Sequence, residues 1–71
     1  MPINKLLEGT GFDAATVKVL SETFDDILRG LDLERTDPVA MVIARNLIRF
    51  AQAGERDPVR LRELATEFLR N

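Results

Sequence analysis

Two Asp-Pro pairs, Asp37-Pro38 and Asp57-Pro58, stand twenty residues apart in a chain of 71, and each precedes a run whose apolar residues recur at helical steps. An aspartate at this position offers an acceptor to the orphan amide groups of a first helical turn. The proline that follows has φ already set and lacks only an N–H that the turn would leave unsatisfied. Each pair therefore predicts a helix start. The second helix is expected over about 38–53, closed by Gly54, and the third over about 58–70. Both pairs lie in a near-repeat, "ERTDPV" and "ERDPV", but after the shared valine "AMVIARNLIRF" and "RLRELATEFLR" place their apolar residues in different phases. The repeated element is a capping device and not a duplicated functional unit.

The first helix has a different signature. Asp13 is its expected N-cap, Phe12 can close onto Val17 as a hydrophobic staple, and Gly30 offers a left-handed stop, giving a helix over about 14–29. Val17, Leu20, Phe24, Ile27 and Leu28 form its apolar stripe, and Leu61, Leu64, Ala65 and Phe68 form that of the third helix. A short helix over about 3–8, docking through Ile3, Leu6 and Leu7, could precede them, supported by tertiary contact. The expected fold is all-α, a small three-helix bundle in a single domain covering residues 1–71.

Composition narrows what such a domain does. The chain contains no cysteine and no histidine, which excludes disulfides, thiolate or imidazole metal sites and thiol chemistry. Its one serine, Ser21, has no histidine to activate it, and no glycine-rich phosphate loop is present. The carboxylates Asp25, Asp26, Asp32, Glu34 and Asp37 are dense, yet "DLERTD" lacks the central glycine of a calcium loop, so a solvated acidic face accounts for them. No enzyme activity, metal or cofactor is expected. No segment approaches the roughly 20 apolar residues of a membrane span, and the apolar run at the N-terminus is too short for a signal peptide, so a cytoplasmic protein is expected.

A partner is the remaining route to function. In the second helix the strongly polar Arg45, Arg49 and Gln52 occupy a narrow arc, leaving most of the circumference apolar. A domain this small rarely covers so much surface alone: either the N-terminal segment wraps the second side, or the side bearing Met41, Ala44 and Ile48 meets another chain, and a second copy in a homodimer is the expected contact, with an unidentified protein as the other candidate. Asn46, inside the apolar arc, is expected to bond a nearby backbone group. The alternative partner is DNA. A helix, a turn and a helix in this order resemble a helix-turn-helix, with Arg56, Arg60 and Arg62 as the candidate contacts. A net charge of −2 and the use of Asp57 at the helix start argue against it.

With "GFDAATV", "FDDIL" and "IARNLIRFAQAGERDPVRLRELA" in view, residues 11 to 69 resemble a group of short uncharacterised proteins of alpha-proteobacteria that share an "FD..T" helix start and a C-terminal "A..GERDP..L" segment. The resemblance implies the helical fold, since its motifs are chiefly caps and core positions. It implies no activity and marks no residue as a catalytic or ligand site.

Overall fold

The computed structural model describes residues 11–70. The expected short helix over 3–8 lies outside the described residues. Three α-helices follow one another: α1 (Ala14–Leu31), α2 (Pro38–Gln52) and α3 (Pro58–Thr66), the last continued by a 3-10 turn, Glu67–Arg70. The fold is a small all-α three-helix bundle. No helix among the described residues is long and apolar enough to cross a membrane. The radius of gyration, 11.0 Å, is what a tightly packed chain of this length has, so the helices close on one another instead of splaying.

All three starts are capped by the aspartates that the sequence nominates. Asp13 accepts from the Thr16 amide at 2.8 Å, the third helical position. Asp37 and Asp57 instead accept from the second, Val39 at 2.8 Å and Val59 at 3.0 Å, and the first position in each is a proline, whose missing N–H costs nothing there. Phe12 and Val17 both pack against the core, as a staple requires.

The two helix ends differ. At the end of α2, Gly54 (φ +108) lets its amide donate to Ala51 and the Glu55 amide to Phe50, a Schellman closure at the expected glycine. At the end of α1 the expected stop at Gly30 is corrected. The helix runs through Gly30 to Leu31, and Asp32 takes the left-handed conformation (φ 55, ψ 45). Its amide donates to Arg29 and that of Leu33 to Leu28 at 2.9 Å. This closure places Leu33 against the core beside Leu28, whereas a stop at Gly30 would pair Leu31 with the exposed Asp26. Apolar burial outweighs the modest preference for glycine in the left-handed region.

Gly30 is therefore a helical residue without a special backbone angle. A methyl group added there would meet only the far end of the flexible Arg62 side chain, at 3.0 Å. Gly30→Ala is expected to stabilise the domain by about 0.5–1 kcal/mol through lower unfolded-state entropy. Gly54→Ala should destabilise it, since φ +108 strains any residue with a Cβ. Urea midpoints of the two variants moving in the same direction would contradict this assignment of helix ends.

The core joins Leu20, Phe24, Ile27 and Leu28 of α1 to Ala40, Ile43, Ala44, Leu47 and Ala51 of α2 and Leu61 and Ala65 of α3. Alanines on the inward stripe of α2 and Ala65 of α3 are buried, and α2 and α3 make the most extensive helix contact. Every buried side-chain nitrogen or oxygen among the described residues has a hydrogen-bond partner.

Candidate interaction surface

The inward stripe of α2 leaves the opposite side, Pro38, Val42, Arg45, Arg49 and Gln52, facing solvent. Met41 and Ile48 border that side and are half-buried, and Val42 within it is 42% exposed. Val39, Asn46 and Phe50 form the other border. There Asn46 donates to the Ala65 carbonyl at 3.2 Å, so this polar side chain ties α2 to the end of α3 through a backbone acceptor, as expected from its place in the apolar arc.

One of the three residues expected to meet a second copy is corrected. Ala44 is 1% exposed and belongs to the core. It stands in the row Ala40, Ala44, Leu47, Ala51, and its small side chain is what lets the neighbouring helices approach. Met41 and Ile48 remain at the edge of the surface, and Val42, not among the expected contacts, is more exposed than either. A second correction concerns Phe68, expected on the buried stripe of the third helix. The Thr66 hydroxyl donates back to the Arg62 carbonyl at 2.7 Å, and the next residues tighten into the 3-10 turn. Fewer residues per turn change the phase, and Phe68 emerges 38% exposed while Leu61 and Ala65 stay buried.

Arg56, Arg60 and Arg62 are drawn to different places. The Arg56 guanidinium donates to the Ala51 carbonyl and, at 3.0 Å, to that of Glu55, and it lies 5.4 Å from the centroid of the Phe12 ring. It thus links the end of α2 to the segment entering α1. Arg60 pairs with Glu63 at 3.6 Å across one turn of α3. Arg62, two residues on and so about 200° around the helix axis, reaches Gly30 of α1. Asp57 occupies the start of α3, where a DNA phosphate would otherwise meet free amide groups.

The same Arg56 charge acts on Asp13. The Asp13 carboxyl is held below its ordinary value of 3.8 by hydrogen bonds from the Thr16 hydroxyl and amide, with partial desolvation opposing and Arg56 assisting. A depressed folded-state pKa contributes stability that is present above the unfolded value and is lost as pH falls through the folded one. Asp13→Asn, which keeps a capping acceptor, is expected to flatten this part of the acid limb in thermal unfolding between pH 7 and pH about 2. An acid limb identical to that of the parent chain would remove the assignment.

A groove of about 830 Å³ lies where the end of α1 meets the loop into α2, lined by Asp25, Leu28, Arg29, Asp32, Leu33, Glu34, Arg35 and Thr36. Arg35 donates to Asp25 at 2.6 Å and Arg29 pairs with Asp26. Among the described residues, Asp32 and Glu34 have no ion-pair partner, and no group of three or more carboxylates could hold a metal ion. Comparison of the chain with protein-family models, with curated proteins and with solved structures gives no match.

Proposed function

We propose that this chain is a non-enzymatic protein–protein interaction module of the cytoplasm that self-associates as a homodimer through the outward side of α2. The observation that carries the reading is the incomplete cover of that side: Val42 within it is 42% exposed, and Met41 and Ile48 along one border are half-buried. Exposed apolar residues scattered singly need no partner, but three that reach the outward side of one helix give a second copy apolar area to bury. A core limited by the short chain adds to this, since small domains often draw stability from association. Arg45 and Arg49 stand between Val42 and the Met41 and Ile48 border and would select the partner more than supply affinity.

Met41→Glu places a charge at the border of this surface without entering the core. The variant is expected to sediment as a monomer with the helical circular dichroism of the parent chain retained. The parent chain should be dimeric at about 100 μM, where a dimer with Kd of about 1 μM dominates. Equal sedimentation of the two chains as dimers would exclude this surface, and a monomeric parent chain would exclude self-association.

A further inference from the structure

Charge is divided between the two surfaces just described. α2 carries Arg45 and Arg49 and no acidic residue. Arg45 has no ion-pair partner among the described residues, and Arg49 has only the Phe50 ring, 5.9 Å away. The groove at the end of α1 presents Asp32 and Glu34, likewise without ion-pair partners, around the apolar Leu28 and Leu33. Its lining ends at Thr36, two residues before Pro38 begins the outward side of α2. One chain thus carries unpaired cations along a helix and unpaired anions just ahead of that helix.

Resting on the homodimer reading, we infer that two copies pair their α2 helices antiparallel about a two-fold axis near Val42, with Arg49 of each copy meeting Glu34 and Asp32 of the other. The spacing along the helix fits. Arg49 is seven residues past Val42, about 10 Å along the axis; in the other direction the helix runs about 6 Å to Pro38, and the loop that bears Glu34 lies beyond it. Such a contact is made twice by one symmetry operation, so a single pair of complementary patches closes the assembly at two copies. The same arrangement separates the two Arg49 side chains by about 20 Å and the two Arg45 side chains by about 9 Å, both beyond the screening length of about 8 Å at physiological salt. A parallel pairing in register would instead set Arg45 and Arg49 against their own copies. Charge complementarity therefore favours a second copy of this chain, in one orientation, as the occupant of the α2 surface.

Charge reversal tests the pairing. Arg45→Glu, Arg49→Glu in one chain, all at exposed positions, should weaken its self-association at least about a hundredfold, as like charges then face each other across the interface. Asp32→Asn, Glu34→Arg in a second chain, with asparagine retained for its tolerance of the left-handed backbone, should weaken self-association at least about tenfold. Mixing the two altered chains should restore a heterodimer, because both contacts are then again between opposite charges. Sedimentation equilibrium at low and moderate salt, with circular dichroism on each chain, reads all three states. A parent dimer indifferent to both reversals, or altered chains that stay apart when mixed, overturns the pairing while leaving self-association standing. A monomeric parent chain overturns both and gives the α2 surface to another occupant, either the first ten residues of the chain or a different protein.

Discussion

Phe24→Ala is expected to cost about 3–5 kcal/mol of folding free energy, the loss that accompanies removal of a fully buried aromatic ring and the cavity it leaves. Phe24 is 1% exposed and is the largest fully buried side chain among the described residues, held among Leu20, Ile27 and Leu28 of its own helix and the apolar stripes of α2 and α3. For a chain of 71 residues the whole stability is about 4–10 kcal/mol, so one truncation removes a large part of it. The urea midpoint should fall steeply with the slope of the transition unchanged. Phe68→Ala serves as the internal comparison. That ring is 38% exposed beyond the end of α3, and its loss should cost about 1 kcal/mol or less. Two phenylalanines on what periodicity treats as equivalent apolar stripes would then differ several-fold in cost. Equal midpoints for the two variants would mean that α3 continues as a regular helix to its end.

Ala44→Glu is expected to abolish cooperative folding at neutral pH, in contrast to Met41→Glu on the same helix. Ala44 is enclosed at the contact of α2 with its neighbours, where a longer side chain overpacks the site and a carboxylate is stripped of water. The side chains clustered with it are apolar. An unpaired buried charge costs about 3–5 kcal/mol, comparable with the entire stability of a small domain. Far-ultraviolet circular dichroism of Ala44→Glu should therefore show loss of helix at every protein concentration, while Met41→Glu changes assembly alone. Retained helicity together with loss of the dimer in Ala44→Glu would return Ala44 to the intermolecular surface.

The difference between Ala44 and Met41 also separates what the residues announce from what packing decides. Periodicity places both on the broad apolar arc of α2, because alanine and methionine count alike as apolar. Their burial depends on where α3 approaches, and that approach follows from the row of small residues and from the Asn46 bond to Ala65. A sequence pattern contains the row but not the neighbour that closes over it. Arg56 illustrates the same limit. Its charge and position mark it as a candidate DNA contact, and its bond to the Ala51 carbonyl and its place over the Phe12 ring involve groups that only the folded chain brings near.

Helix starts were legible residue by residue, since capping joins groups at most three positions apart and needs no tertiary partner: Asp13, Asp37 and Asp57 accept where their local chemistry demands. The stop at Gly54 was legible for the same reason. The end of α1 was not, because its position turns on burying Leu33 beside Leu28, and a gain in apolar burial exceeds the local preference of Gly30. The all-α class and the points where the helices begin are thus properties of local chemistry, set by hydrogen bonds within a single turn. Which apolar residues become core and which become surface is set by packing, because burial is a property of two elements meeting and no one segment contains it.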